Sequence, residues 1–255
     1  MKKKVLSAVA LSLAAGLFLT PLAAVMGASF WAGGKATLQN YDDLLFDCFN
    51  FYPMFWNSLS YAAVILAVQL VVVVPCAFGF SHAKFRGKSL LFVFYIVLMM
   101  MPLQVTILPN YIGLREMGLL DTRWAIIIPA VFSPFGVVVM RQYMRGSDGL
   151  AVEAMRLETN SIILIMIHAV IPQIKICIFA VALFVFADNW NMMEQPLLFL
   201  ESEHLKTLPV FMATAGDNIS SALFPAAVIY MIPALLLYGF FSGSLEKGLT
   251  FGDLK

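Results

Sequence analysis

The chain has 255 residues, of which 61% are hydrophobic and 12% charged, and its formal net charge is +1 at pH 7. Soluble domains contain about 45–50% apolar and about 25% charged residues. Because so few charges cannot cover the surface of a soluble globule, this composition excludes a cytosolic enzyme, a nucleic-acid-binding protein and a disordered chain. It predicts an integral membrane protein.

Six hydrophobic segments are interpreted as membrane-spanning helices, since a span requires about 20 apolar residues. They cover residues of about 5–26, 57–80, 89–109, 124–140, 171–186 and 223–241. Residues 162–167 are also apolar, but His168 and Pro172 separate them from the fifth span, so we expect a separate cytoplasmic or interfacial helix there. The pattern predicts an all-α polytopic fold in which residues 1–255 form a single transmembrane domain.

The N-terminal segment fits two interpretations. Lys2, Lys3 and Lys4 precede a stretch that stays apolar as far as Met26, which is typical of a first span and also of a secretory signal peptide. The apolar stretch is about 22 residues long, which exceeds the 7–15 residues of a typical signal-peptide core. An uncleaved first helix is therefore favoured.

The distribution of basic residues predicts the orientation, because Lys and Arg accumulate in cytoplasmic loops. With six spans and a cytoplasmic N-terminus, eleven of the 16 basic residues lie inside and four lie outside, and the remaining one, Lys175, lies near the start of a span. The inner set is Lys2, Lys3, Lys4, Lys84, Arg86, Lys88, Arg141, Arg145, Arg156, Lys247 and Lys255. The outer set is Lys35, Arg115, Arg123 and Lys206. Both termini are thus expected in the cytoplasm.

The sequence lacks the motifs of an enzyme. Gly87-Lys88-Ser89 has the ending of a phosphate-binding loop, but the required earlier glycine is replaced by His82 and a hydrophobic segment follows. No H-E-x-x-H or G-x-S-x-G pattern occurs, and the three histidines are far apart. We therefore expect no catalytic residue, no metal site and no cofactor bound by this chain.

Polar side chains within or beside the spans are candidates for a translocation path, since such residues are costly in a bilayer. Amides and carboxylates provide the hydrogen bonds that a polar solute needs, and Trp190 offers a stacking face. The alternative role for each polar residue is a hydrogen bond between helices. The candidates are Asn57, Gln69, Gln104, Asp188, Asn189, Asn191 and Glu194.

The longest polar stretch on the predicted inner side lies between the fourth and fifth spans, within residues 141–172. Its central part, Glu153-Ala154-Met155-Arg156-Leu157-Glu158-Thr159-Asn160-Ser161, resembles the EAA loop of permease subunits of binding-protein-dependent ABC importers. Glu153 and Ala154 match the start of that motif, Glu158 stands in place of its Asp, and Pro172 falls where the family has a proline.

Further segments, in order along the chain, resemble the carbohydrate (MalG-like) branch of the same family. They are Asn57-Ser58-Leu59, Pro102-Leu103-Gln104-Val105-Thr106 with Pro109, Gly118-Leu119-Leu120-Asp121-Thr122, Arg141-Gln142-Tyr143, Asn189-Trp190-Asn191 with Pro196-Leu197, and Lys247-Gly248-Leu249-Thr250. The resemblance implies half of a translocation pathway in the bacterial inner membrane for a small polar solute such as a sugar.

The resemblance also implies three protein partners: a homologous permease, a cytoplasmic ATPase dimer that carries ATP and Mg, and an extracellular solute-binding protein that docks on outer loops including residues 187–222. A short cytoplasmic helix is expected to contact the ATPase. The residues implied in this contact are Glu153, Ala154, Met155, Leu157, Glu158, Thr159, Asn160 and Ser161.

Three positions depart from the family pattern in this loop. Met155 replaces the second Ala, Thr159 stands where the family has Gly, and the lead-in to the motif is Asp148-Gly149-Leu150-Ala151. Because a β-branched residue is unfavourable at positive φ and Asn tolerates it better, we expect the turn to shift by one residue, with Asn160 in the left-handed region.

Two other classes of membrane protein remain open on the residues alone. An independent secondary transporter or channel would need paired intramembrane charges or broken helices in both halves. Only Asp188 and Lys175, near opposite ends of one span, approach such a pair. A non-transporting scaffold would lack a continuous polar line through the bundle.

Overall fold

The computed structural model describes the backbone of residues 2–146, 149–214 and 220–250, and the side chains of 11–146, 149–214 and 222–240. The described chain is predominantly α-helical. In order, its elements are α1 (Lys2–Ser29), β1 (Trp31–Ala32), β2 (Lys35–Ala36), α2 (Gln39–Asp42), a π-turn (Asp43–Asp47), α3 (Phe51–His82), α4 (Lys88–Met99), α5 (Leu103–Glu116), α6 (Arg123–Val131), α7 (Pro134–Gly146), α8 (Leu150–Glu158), α9 (Ile162–Ile165), a π-turn (Met166–Val170), α10 (Ile171–Trp190), α11 (Glu194–Phe199), a 3₁₀ turn (Glu203–Leu205), α12 (Leu208–Thr214) and α13 (Ser220–Thr250).

Within the described ranges, five helical stretches are long and apolar enough to cross a membrane, and the number is six if the bent pair α4 and α5 forms one span. The five are Leu11–Ser29, Phe51–His82, Arg123–Gly146, Ile162–Trp190 and Ala222–Phe240. A polytopic helical membrane protein is therefore the architecture, as the hydrophobic pattern predicts.

The third predicted span differs from the expectation of one continuous helix over residues 89–109. Helix α4 ends at Met99 and α5 begins at Leu103, with a bend of 99° between the two. Pro102 is the residue before α5, in extended backbone with φ −65° and ψ 146°. A proline has no N–H and its ring clashes with the preceding turn, which explains the break.

The expectation of a separate helix at residues 162–167 is wrong. Helices α9 and α10 join through the π-turn Met166–Val170 into one stretch, Ile162–Trp190. Pro172 follows the π-turn in the first turn of α10. The wider π-turn gives the proline ring room against the preceding carbonyls, so the helix continues past a residue that usually ends it.

Helix α3 lies at the centre of the described bundle and contacts α6, α7, α10 and α12. Its second half packs with α7 and α10 in a core that includes Val73, Met140, Ile174 and Val181, each no more than 2% exposed. This core extends to α8 and α9 through Val152 and Ile165. The segment between the fourth and fifth spans is thus attached to the body of the bundle.

The first half of α3 contributes to two further cores. One joins it to α5, α6 and α11 through Tyr61, Ile65, Leu114, Ile126 and Phe199. The other joins it to the first π-turn, α12 and α13, and it contains Leu44, Phe51, Leu208, Phe211 and Ala226. Helix α10 therefore packs against both α3 and α13, and the first half of α3 meets α13 through the second of these cores.

One element lies outside the all-α expectation. Strands β1 and β2 form a two-residue antiparallel hairpin with Trp31 opposite Ala36. Its loop is Gly33-Gly34, with φ of 58° and 80°. Two consecutive positive φ values are typical of a tight type I′ hairpin turn, which glycine adopts without strain.

Candidate functional site

Helix α8 is the structural counterpart of the EAA-like motif. It lies between the ends of α7 and α9, and Glu153 occupies its first turn, where a carboxylate interacts favourably with the helix dipole. Asp148, in the lead-in to the motif, lies outside the described residues. The side chains of the tail segment at residues 247–250 are also outside them.

One face of α8 attaches it to the bundle. Val152 is 3% exposed and Met155 is half-buried, and both pack into the core formed by α3, α7 and α10. Thr159, at the C-terminal end of α8, is also half-buried. Residues 152 and 155 share a side of the helix, so Met155, which replaces the family Ala, contributes to this attachment.

The opposite face of α8 is open. Leu150, Glu153, Ala154 and Leu157 fall together by helical spacing, and all four are exposed. Leu157 is 91% exposed, although Leu is a residue that folding normally buries. An apolar side chain flanked by a carboxylate and a small residue is suited to contact with another protein.

The turn after α8 differs from the expected geometry. Thr159 is extended, with φ −147° and ψ 145°, and Ser161 is extended, with φ −77° and ψ 112°. Among the described residues, Asp121 is the only non-glycine residue with a positive φ. Asn160 therefore does not adopt the left-handed conformation. The expectation of a left-handed Asn160 is therefore wrong.

Side-chain hydrogen bonds explain this turn. The Thr159 Oγ1 accepts a hydrogen bond from the Ser161 N–H at 3.2 Å, and the Ser161 Oγ accepts one from the Leu164 N–H at 3.5 Å. Ser161 thus caps the N-terminus of α9. Hydroxyl groups can reverse the chain in this way without a positive φ, so no glycine is required at position 159.

The structure brings the eight predicted coupling residues together on α8 and the turn that follows it. Glu153, Ala154, Leu157, Glu158, Asn160 and Ser161 are exposed, whereas Met155 packs against the bundle and Thr159 is half-buried.

The predicted path residues are distributed over four helices. Asp188 and Asn189 lie at the end of α10, Asn191 directly follows it, and Glu194 begins α11. Asp188, Asn191 and Glu194 are exposed and Asn189 is buried. These four residues form one polar segment around the end of α10.

Asparagines 189 and 191 both hydrogen-bond within their own helix. The Asn189 Nδ2 donates to the Val185 carbonyl and the Asn191 Nδ2 donates to the Ala187 carbonyl, each at 2.7 Å. The Asn191 Oδ1 also accepts a hydrogen bond from the Tyr230 hydroxyl at 2.6 Å. Asn191 therefore links the end of α10 to α13.

The other three predicted path residues lie apart from this segment. The buried Asn57 donates through Nδ2 to the carbonyls of His204 (2.6 Å) and Lys206 (3.1 Å), which anchors the 3₁₀ turn to α3. Gln69, in the middle of α3, is 2% exposed and its Nε2 has no hydrogen-bond partner in the structure. Gln104 is exposed in the first turn of α5.

Trp190 has no free face for stacking, contrary to the expectation from the sequence. It is 1% exposed and its ring stacks against Phe186 at 5.8 Å and Tyr230 at 5.0 Å. The Trp190 Nε1–H donates to the Tyr230 carbonyl, and the Tyr230 hydroxyl donates to the Trp190 carbonyl. The tryptophan therefore joins α10 to α13.

Sequence reasoning missed Tyr230, because a single tyrosine in a hydrophobic segment has no distinguishing pattern. Together with Trp190 and Asn191 it borders a cavity of about 510 Å³ between α1, the end of α10 and α13. The remaining lining residues are apolar: Leu19, Leu22, Ala23, Met26, Met231, Ala234 and Leu235.

Asp121 connects its own loop to the segment after α11. Its carboxylate accepts hydrogen bonds from the Glu201 N–H (3.0 Å), the Ser202 N–H (2.8 Å) and the Ser202 hydroxyl (2.6 Å). These bonds, with that of the Ser202 hydroxyl the largest, lower the pKa of the Asp121 carboxyl from its ordinary value. These hydrogen bonds therefore hold residues 201 and 202, which follow α11, against the loop that contains Asp121.

Comparison with known proteins places these features in a family context. No family model matches the chain. The chain is 26% identical over 223 residues to the arabinooligosaccharides transport system permease protein AraQ of Halalkalibacterium halodurans, covering 86% of this chain and 80% of that protein. It is 23% identical over 205 residues to the lactose transport system permease protein LacG of Rhizobium radiobacter, covering 79% and 75% respectively.

A solved structure shares the fold. A bacterial ABC transporter involved in the import of the acidic polysaccharide alginate contains a chain that matches this one with a TM-score of 0.83 and 19% identity, covering 94% of this chain and 95% of that chain. The chain's homologues are ABC sugar-transport permeases. The resemblance that its motifs indicate is thereby confirmed, and the ABC permease fold extends over nearly the whole chain.

Proposed function

We propose that this ABC permease homologue is the transmembrane subunit of an ABC importer and forms half of the translocation pathway for a small polar solute, such as a sugar. The observation that carries the proposal is α8, a short helix with one face in the bundle core and an exposed Leu157 on the other. The family of its relatives, AraQ and LacG, supports a carbohydrate-type solute.

The proposed arrangement in the bacterial inner membrane has one permease domain with six spans and both termini in the cytoplasm. In it, α4 and α5 together form the third span, and α8 lies on the cytoplasmic side. The excess of Lys and Arg on that side supports this orientation.

In the proposed mechanism, a cytoplasmic ATPase dimer binds ATP and Mg and hydrolyses ATP, and this chain is not itself an enzyme. Because Val152 and Met155 fasten α8 to the core of α3, α7 and α10, a displacement of α8 would be passed to the helices that line the pathway. Nucleotide and solute shift the balance between outward-facing and inward-facing states only through different affinities for the two.

A homologous permease would supply the other half of the pathway. The polar segment formed by Asp188, Asn189, Asn191 and Glu194 is our proposed contribution of this chain near the outer side, with Gln69 and Gln104 further along the path. A solute-binding protein would dock on the outer loops within residues 187–222, of which 215–219 lie outside the described residues. Asn57 would act indirectly, by holding the 3₁₀ turn in this outer region.

The exposed face of α8 is tested by the variant Glu153→Lys, produced together with the partner permease and the ATPase. The change reverses a charge in the first turn of α8 without touching the buried face. We expect normal membrane insertion and ATPase association weakened at least about tenfold, equivalent to about 1.4 kcal/mol. Copurification and solute-stimulated ATP hydrolysis measure the effect.

Glu116→Lys is the matched control, since Glu116 is also exposed but ends α5, away from α8. It should leave ATPase association unchanged. Unaltered association and stimulation in Glu153→Lys would contradict the docking role of α8. A stable, transport-active chain recovered without any ATPase would contradict the importer itself.

A further inference from the structure

A cluster of cationic side chains lies where the inner ends of α3, α4 and α7 meet α8, and the proposed docking role of α8 does not use it. We call it the inner basic cluster. Its members are Lys84, Arg86, Lys88, Arg141, Arg145 and Arg156. The cluster includes Lys88 of the Gly87-Lys88-Ser89 sequence, which is not a nucleotide site.

Two of these cations hold the cluster together. The Lys88 Nζ donates to the carbonyls of Ser81 (3.0 Å) and Ala83 (2.8 Å) at the end of α3. Arg141, which is 8% exposed, donates through Nε to the Phe80 carbonyl at 3.3 Å. Its guanidinium carbon lies 3.4 Å from the centre of the Phe92 ring in α4. Lys88 and Arg141 thus fix the end of α3 relative to α4 and α7, which carry or adjoin the remaining cations.

The other Lys and Arg members, Lys84, Arg86, Arg145 and Arg156, are exposed. Like charges interact across the cluster, since Arg141 and Arg145 act on Lys88. Arg156 and Lys88 both lie near the His82 side chain. Among the described residues the one ion pair is Lys206–Glu203, outside the cluster, while Asp148 lies outside the described residues. The described part of the cluster therefore lacks an internal counter-ion and attracts an anion from its surroundings.

The neighbouring surface is apolar and indicates where that anion comes from. Phe85, between Lys84 and Arg86, is 45% exposed, and α4 exposes Leu90 (75%), Leu91 (50%) and Phe94 (58%) directly beyond the cluster. A hydrophobic surface that ends in a group of cations matches the boundary between acyl chains and headgroups.

We propose that the inner basic cluster binds the headgroup of an anionic phospholipid of the inner leaflet. Lys84, Arg86 and Arg145 contact the phosphate, Phe85 inserts among the acyl chains, and Lys88 and Arg141 hold the surface in shape. The proposal rests on the proposed orientation, which places the cluster at the cytoplasmic face.

The test measures lipid binding to the full chain purified in neutral detergent, by native mass spectrometry during titration with phosphatidylglycerol, phosphatidylcholine or inorganic phosphate. The variant is Lys84→Gln/Arg86→Gln/Arg145→Gln. The control is Lys35→Gln/Arg115→Gln/Arg123→Gln, which removes three exposed charges from the opposite, outer side.

We expect phosphatidylglycerol to bind the native chain more tightly than phosphatidylcholine. The first variant should weaken phosphatidylglycerol binding roughly tenfold or more. The control should change it less than about twofold.

Equal weakening of phosphatidylglycerol binding by the cluster variant and the control variant would overturn the proposal and indicate an effect of net charge alone. Unchanged phosphatidylglycerol binding in the cluster variant would also overturn the proposal. Displacement of the lipid by inorganic phosphate at equal concentration would identify a free-anion site. If the first variant failed to copurify with the ATPase, in the assay used for Glu153→Lys, but kept its lipid in the native mass spectrometry assay, the cluster would be an ATPase contact and the proposal would be overturned. Because the native mass spectrometry assay contains no ATPase, its outcome is independent of the Glu153→Lys test, and a reversed orientation would appear in the labelling experiment described in the Discussion.

Discussion

At the scale of single residues, the most informative polar groups in this chain hold backbone segments. Asn57 donates to two carbonyls, and Asp121 accepts three hydrogen bonds from residues 201 and 202. A buried polar group that loses its partner is costly, so these hydrogen bonds stabilise the positions of the backbone segments that they join. Sequence alone cannot separate these roles, since both use the same side chains.

Asp121→Asn tests the connection between the Asp121 loop and residues 201 and 202. Because the pKa of Asp121 is lowered by its hydrogen bonds in the folded state, its charge stabilises the fold above the ordinary Asp pKa. That stabilisation is lost as the pH falls through the lowered, folded-state pKa. We expect Asp121→Asn to unfold at a lower temperature than the native chain at neutral pH. The difference should shrink under acid conditions, below about pH 4.

Asn is the appropriate replacement because Asp121 has φ 56° and Asn tolerates the left-handed region. The variant therefore removes the charge without adding backbone strain. Thermal unfolding of both proteins in the same detergent over a pH series gives the result. A difference in unfolding temperature that stayed constant down to the lowest pH would show that the charge of Asp121 does not matter.

At the scale of elements, packing between helices depends on small residues as much as on large ones. A Cβ atom placed on Gly136 of α7 would lie 3.1 Å from Val73 Cγ1 and 3.3 Å from Val181 Cγ1. Close approach of α3, α7 and α10 thus favours glycine at this position. The hydrophobic pattern predicted the three helices but not this contact, which joins residues far apart in the chain.

Gly136→Val should overpack this junction and lower the free energy of unfolding by about 2 kcal/mol. Val73→Ala in the same chain should recover part of the loss, because it removes the side chain that the new methyl groups would meet. Gly113→Val in α5 is the control, since no atom lies within 4 Å of a Cβ there. Denaturant unfolding in detergent compares the variants, and equal losses at both glycines would contradict close packing at position 136.

The ends and breaks of helices show the same dependence on context. Pro102 breaks the third predicted span, whereas Pro172 lies within a helical stretch that continues from Ile162 to Trp190. The two prolines have the same covalent structure, and the difference is the π-turn before Pro172. Similarly, Thr159 and Ser161 form a turn through their hydroxyl groups where a glycine was expected.

At the scale of the whole molecule, the orientation in the bilayer decides the role of every surface. If α8 is cytoplasmic, it can meet an ATPase, and the hairpin of β1 and β2 faces the outside. The distribution of Lys and Arg is the physical basis for this orientation.

Single-cysteine labelling tests that orientation. In right-side-out membrane vesicles, a membrane-impermeant maleimide should modify Lys35→Cys directly and Leu157→Cys only after permeabilisation, since both positions are exposed. The background for both variants lacks the three native cysteines, which are replaced as Cys48→Ser, Cys76→Ala and Cys177→Ala. Burial, and then the nearby Asp47 and Asp43 carboxylates, raise the pKa of the Cys48 thiol, so this cysteine would react slowly and confuse the kinetics. Direct labelling of Leu157→Cys with protection of Lys35→Cys would reverse the orientation.

Composition and hydrophobic pattern by themselves determined the membrane class and the approximate place of the apolar helices. The local motif that contains Glu153, Ala154 and Pro172 indicated the family resemblance. These properties follow from lengths of apolar sequence and from local motifs, which do not depend on what packs against them. Only the tertiary structure decided that α4 and α5 bend by 99°, that Trp190 is stacked between Phe186 and Tyr230, and that one face of α8 is buried while Leu157 is exposed. Each of these depends on contacts between residues distant in the chain or on how neighbouring turns accommodate a proline, and neither is encoded in a hydropathy pattern.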